Sequence, residues 1–105
     1  MKAASIAVSK KALDVVIMNI GRSSIICDYF VIASAKTSVH TRAIAESIAR
    51  ELKEAGLVER RIEGLKEGAW ILLDYGSVVV HIFLEELRKF YDLEDRWSTI
   101  PMESL

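Results

Sequence analysis

What this sequence has least of narrows its function before any motif is found. A single cysteine among 105 residues excludes an internal disulfide and a cysteine-rich zinc site. Such usage is compatible with a reducing compartment. A charge surplus is missing too. Fourteen Lys and Arg against fifteen Asp and Glu leave a formal charge of -1, whereas a protein held on nucleic acid by phosphate contacts carries a clear positive excess. Direct, sequence-specific nucleic-acid binding is therefore not expected. Long apolar runs are absent as well: stretches such as residues 70–73 fall far short of the roughly 20 residues that a membrane-spanning helix needs. Lys10 and Lys11 interrupt the mildly apolar N-terminus and no cleavage pattern follows, which argues against a secretory signal. A cytoplasmic protein without membrane contact is expected.

What is present is the material of one core. Hydrophobic residues make up 51% of the chain and charged residues 28%, a balance that excludes a disordered chain. A domain of this length buries roughly 60–68% of the surface its unfolded chain exposes. Residues 1–105 are read as one domain, with residues 1–2 and 101–105 expected to be loose.

The order of elements follows from local pattern. Ala3, Ile6, Ala7 and Lys10 fall near one face of a short helix over residues 3–12. Asp14 introduces the β-branched run Val15-Val16-Ile17-Met18, a strand. A turn around Gly21 leads to a second strand over residues 29–34, apolar on both faces and so covered on both. The clearest element is a helix over residues 38–55. Thr37 or Ser38 caps it, Ile44, Ile48 and Leu52 repeat every four residues, and Gly56 stands where a left-handed residue ends a helix. Residues 57–62 are expected as a short strand. Residues 70–74 and 78–83 form a hairpin around Tyr75-Gly76-Ser77, and residues 84–91 form a closing helix that Leu93 and Trp97 extend. The result is an α/β (α+β) domain: a single mixed sheet of about five strands with helices packed on it.

Chemistry is sparse. Cys27, Asp28, His40, Asp74 and His81 are the candidate reactive groups. Cys27, between Ile26 and a strand, reads as a small buried hydrophobe rather than a nucleophile. No ligands show metal-binding spacing, and Gly21-Arg22-Ser23-Ser24 lacks the spacing and the lysine of a phosphate loop. No catalytic residue, metal or cofactor is expected. His81, between Val80 and Ile82, reads as a structural histidine or a binding one. Tyr75, Phe83, Phe90, Tyr91 and Trp97, with Arg88 and Arg96 beside them, are interface anchors as much as core. Residues 85–105 hold three basic and six acidic groups, so this end suits a basic partner or is an ordinary solvated face.

Several segments together carry a resemblance over nearly the whole chain. They are Asp28-Tyr29-Phe30-Val31-Ile32, Ile44-Ala45, Trp70-Ile71-Leu72-Leu73-Asp74-Tyr75-Gly76, Val79-Val80-His81-Ile82-Phe83, and Arg88 to Trp97 as RKFYDLEDRW. In this order and spacing the chain resembles the Iojap-related ribosomal silencing factors. The resemblance implies a nucleotidyltransferase-like fold without enzymatic activity and homodimers in isolation. It also implies binding to the L14-type protein of the large ribosomal subunit, which blocks association with the small subunit and represses translation.

Carried over position by position, the interface candidates implied are Asp28, His40, Asp74, Tyr75, Gly76, His81, Arg88, Tyr91, Glu94 and Trp97. Tyr75, His81 and Trp97 are the expected docking anchors. The chain departs from the family pattern at Val39, where an arginine is usual, and at Ser77, where an aspartate is usual. Two alternatives stand beside this reading. One is a divalent-metal-dependent nucleotidyl- or phosphoryl-transferring enzyme using Asp28 and Asp74, and the other is a purely structural homodimer module.

Overall fold

Two segments without a polar face, Tyr29–Ala35 and Val78–Leu84, lie side by side and parallel in the middle of one sheet. The structure is a computed structural model that describes residues 1–21, 27–91 and 102–104, with residues 89–91 and 102–104 described as backbone. In chain order the elements are α1 (Lys2–Ser9), β1 (Leu13–Asn19), β2 (Tyr29–Ala35), α2 (Ser38–Glu54), β3 (Arg61–Glu63), β4 (Trp70–Asp74), β5 (Val78–Leu84), α3 (Glu85–Tyr91) and β6 (Met102–Ser104). The sheet runs β3-β4-β5-β2-β1-β6. The β2–β5 pair is parallel and the other four pairs are antiparallel. The expected mixed sheet with packed helices is what forms.

Helices α1 and α2 close one face. Ala3, Ala4, Ile6 and Ala7 of α1 and Ile44, Ala45, Ile48 and Leu52 of α2 pack on Val15, Ile17, Val31, Ala33, Ile71, Leu73, Val80 and Ile82. The four-residue apolar repeat of α2 is therefore its buried stripe. Thr37 is its cap: the side-chain oxygen accepts the His40 N–H at 3.1 Å, satisfying one of the amides that a helix start leaves unpaired. At the other end Gly56, at φ 89°, reverses the chain, and the Leu57 N–H returns to the Leu52 carbonyl at 2.8 Å.

The opposite face has its own cluster: Val16, Met18, Ile20, Cys27, Ile32, Val79 and Phe83, with Phe30, Trp70 and Leu72 packed against it. Two apolar clusters on opposite faces explain why β2 and β5 read as apolar on both faces.

Three elements differ from expectation. The strand expected over residues 57–62 shrinks to Arg61–Glu63, because Leu57 and Val58 are exposed and only Leu72, Leu73 and Asp74 of β4 face it. Strand β1 begins earlier than expected, at Leu13, through a bulge. Asp14 adopts φ 47°, so Leu13 pairs with Ser34 while Val16 pairs with Ile32. Residues 102–104 of the expected loose tail form β6, paired antiparallel with Val16, Ile17 and Met18. The expected helical extension through Leu93 and Trp97 lies outside the described residues.

Candidate docking surface

One end of the sheet gathers four of the candidate residues. There the start of β2 meets the β4–β5 turn. The Ser77 carbonyl accepts the N–H of Asp28 at 2.8 Å and of Tyr29 at 3.0 Å, while the Asp28 carbonyl accepts the Ile20 N–H at 2.9 Å. The turn is closed by Tyr75 N–H to the Val78 carbonyl at 2.8 Å. Inside it, the Asp74 carboxylate accepts the Gly76 N–H at 2.8 Å, an Asx turn. Gly76 needs its missing side chain: its φ is 85°, and a Cβ would sit 3.0 Å from the Arg60 guanidinium carbon. Arg60 is in turn tied by its own N–H to the Asp74 carbonyl at 2.7 Å.

The charges at this end are surface charges on a stiff base. Asp28 is exposed and Asp74 is partly exposed, with Arg61 Nη2 at 3.9 Å from the Asp74 carboxylate. Cys27 is buried behind them. Burial first, then the carboxylates of Asp28 and Asp74, push its thiol pKa up. A thiol so placed stays protonated and is no nucleophile at neutral pH. Tyr75 packs its ring against the helix-side core. Burial, followed by the Glu59 carboxylate, raises its hydroxyl pKa to about 12.

His81 lies apart from this surface, on the face opposite α1 and α2. It is only 4% exposed. Phe30 meets its ring edge-on at 4.6 Å, and Trp70 and Phe83 stack on each other at 5.0 Å beside it. Trp70 Nε1–H donates to His81 Nδ1 at 3.0 Å, so the neutral ring carries its proton on Nε2. That nitrogen is buried without a hydrogen-bond partner. Burial lowers the His81 pKa to about 4.

The remaining candidates are dispersed. His40 sits at the start of α2, where its Nε2 lies 2.8 Å from the Lys10 carbonyl oxygen and holds the α1–β1 connection to the helix. Arg88 is buried at the β1 bulge, donating from Nη1 to the Leu13 carbonyl at 3.3 Å and to Ser34 Oγ at 3.2 Å. Ser34 Oγ donates to the same carbonyl at 3.2 Å. The Tyr91 side chain, Glu94 and Trp97 lie outside the described residues. Val39 and Ser77, the two departures, are both exposed. Sequence reasoning missed Arg60 at the turn and the enclosure of His81 by Phe30 and Trp70. The signal for the second was available: counting back from the 75–77 turn sets Leu72 opposite His81, which makes Trp70 its diagonal neighbour.

Among the described residues, no group of three or more His, Cys, Asp or Glu could hold a metal ion. Asp28 and Asp74 act on one thiol without forming a ligand set with it. Among the same residues no helix is long and apolar enough to cross a membrane.

Fold and site together define a small mixed-sheet α+β domain with a polar, turn-built sheet end. The chain belongs to the ribosomal silencing factor family, RsfS, described as "Ribosomal silencing factor during starvation", whose model matches residues 1–105. It is 36% identical over 96 residues to the ribosomal silencing factor RsfS of Halalkalibacterium halodurans, covering 91% of this chain and 82% of that one. It is 34% identical over 96 residues to the Bacillus subtilis RsfS, covering 91% and 81%. A crystal structure of a Chromobacterium violaceum protein superposes with a TM-score of 0.89 at 30% identity, covering 91% of this chain and 80% of that chain.

Proposed function

We propose that this chain represses translation by occupying the L14-type protein of the large ribosomal subunit and sterically excluding the small subunit. The observation that carries the reading is the family match over residues 1–105. The geometry supports it in a specific way. Asp28, Asp74, Tyr75 and Gly76 lie at one end of the sheet, held by bonds between the β4–β5 turn and the start of β2, with the two carboxylates outward and the Tyr75 ring against the helix-side core. A surface fixed before binding loses little conformational entropy on docking. Two carboxylates at its rim suit a basic ribosomal protein. Blocking a subunit contact needs only an interface of roughly 1,200–2,000 Å² and no bond making or breaking. The nucleotidyltransferase-like sheet then serves as a scaffold. His81 and Arg88 act from inside, the first by filling the face under Phe30 and Trp70, the second by fixing the β1 bulge. Self-association in isolation belongs to the same reading.

The test is binding of the purified chain to the isolated L14-type protein, read by biolayer interferometry. Asp28→Asn combined with Asp74→Asn removes both charges but keeps an acceptor for the Gly76 N–H. About tenfold weaker binding is expected, a few tenths to 1 kcal/mol for each rim charge. Unchanged affinity in the folded double variant would move the docking surface elsewhere.

A further inference from the structure

Two neighbouring arginines at the turn end of the sheet differ in what holds them. Arg61 Nε lies 2.8 Å from the Glu63 carboxylate and its Nη2 lies 3.9 Å from that of Asp74. Arg60 is exposed, and its guanidinium makes no hydrogen bond or ion pair among the described residues. Yet it is not a loose side chain. A Cβ added to Gly76 would lie 3.0, 3.1 and 3.2 Å from Cζ, Nη2 and Nε of Arg60. Three atoms of one plane at nearly equal distance mean that the guanidinium lies flat over the bare Cα of the turn. Its backbone is fixed as well, since the Arg60 N–H donates to the Asp74 carbonyl at 2.7 Å.

A guanidinium seated on its flat face keeps its N–H donors in its own plane, away from the seat. Those donors form a fork that matches a carboxylate or a phosphate with two parallel bonds. The seat reduces the rotamer freedom lost when the fork closes on such a group. The surroundings choose between the two anions. The carboxylates of Asp28 and Asp74 share this end of the sheet, and Glu59 precedes Arg60 in the chain. A polynucleotide carries a phosphate on every nucleotide and would set several of them against these carboxylates. A protein can place one carboxylate on Arg60 and cations on Asp28 and Asp74, so that all three charges are matched.

We propose that Arg60 is a specificity-determining contact of the docking surface, its seated fork binding one carboxylate of the protein partner. This rests on the reading that this end of the sheet docks on a ribosomal protein, and it adds what that partner must carry: an acidic side chain set among basic ones. Positive charge alone then does not make a partner. A uniformly basic protein would satisfy Asp28 and Asp74 but would meet Arg60 with a like charge or leave it unpaired. Gly76 acquires a second reason to lack a side chain, because a Cβ there would lift the fork from its seat.

Charge exchange against the isolated L14-type protein tests the contact by biolayer interferometry. Arg60→Gln should bind about tenfold more weakly and Arg60→Lys about threefold, since lysine keeps the charge but neither the fork nor the flat seat. Arg60→Glu should lose more than about a hundredfold, because two carboxylates then face each other. Thermal unfolding midpoints close to the parent's show that each variant is folded. Acidic residues of the L14-type protein are then changed singly to arginine. One such change should bring Arg60→Glu back to within about threefold of the parental pair, a recovery that no loss of stability could produce. Weakened binding that none of these changes repairs would overturn the carboxylate assignment. A loss seen only on the whole large subunit, and not on the isolated protein, would overturn it in favour of an RNA phosphate. Arg60→Gln that binds like the parent, while Asp28→Asn with Asp74→Asn binds weakly, would overturn the contact and leave the docking surface standing. Parental affinity in all of these variants would overturn the docking surface as well.

Discussion

Acidification from pH 7 to pH 4 should weaken the fold through His81 by about 3 kcal/mol. The ring is buried between Phe30, Trp70 and Phe83, and its pKa falls to about 4, whereas an unfolded chain titrates near 6.5. The sign follows from proton uptake. Between those two values the unfolded chain binds a proton that the folded chain refuses, so stability drops as pH falls through this window. The loss is about 2 kcal/mol at pH 5 and about 3 kcal/mol at pH 4, against a total of roughly 5–15 kcal/mol for a domain. Carboxylates titrate in the same range, so the measurement has to be a difference. Urea unfolding of the parent and of His81→Phe at pH 7, 6, 5 and 4 cancels what the two share. At pH 7 the variant should be slightly the less stable, since the Trp70 N–H loses its acceptor, at about 1–2 kcal/mol. By pH 4 the order should reverse. Parallel pH profiles would refute the reasoning, because they would mean that His81 takes up its proton equally well in both states.

Gly64→Ala should be severe, costing more than about 3 kcal/mol in thermal unfolding: a Cβ there overlaps the Trp70 carbonyl oxygen, at φ 76°. Gly56→Ala, at φ 89° but in open space, should cost only about 1 kcal/mol. Thr41 Oγ1 lies fully buried, 2.6 Å from the Gly68 carbonyl and 2.9 Å from the Ser38 carbonyl. Thr41→Val should therefore lose about 1–3 kcal/mol in chemical denaturation by leaving a buried carbonyl unpaired. Thr37→Ala removes the cap on His40 N–H and should lower helix stability by about 1 kcal/mol.

The parts of the fold that local pattern carries were legible. Helix α2 was readable because one apolar stripe, a cap and a terminal glycine agree. The β4–β5 hairpin was readable because two apolar runs flank a glycine turn. What failed was tertiary in origin. Residues 57–60 have strand-like composition, but β4 offers β3 only three partners. Residues 102–104 become a strand only because β1 has a free edge. The bulge at Asp14 depends on pairing with Ser34 and on Arg88, whose acceptors lie 54 and 75 positions away in the chain. For the site, the sequence marks Asp28, Asp74, Tyr75 and Gly76 singly, and the parallel β2–β5 pairing is what brings them together. His40, His81 and Arg88 carry the same likeness but belong to three other places, since a family likeness marks positions without saying which are exposed.

Occupancy of the large subunit is the proposed means by which the folded chain keeps ribosomal subunits apart. The most direct measurement mixes purified large and small subunits with increasing amounts of the chain at physiological salt, and follows joining by light scattering. Joined ribosomes should fall until each large subunit carries one chain, with the chain sedimenting on the large subunit alone. Undiminished joining at a saturating amount of folded chain would contradict it.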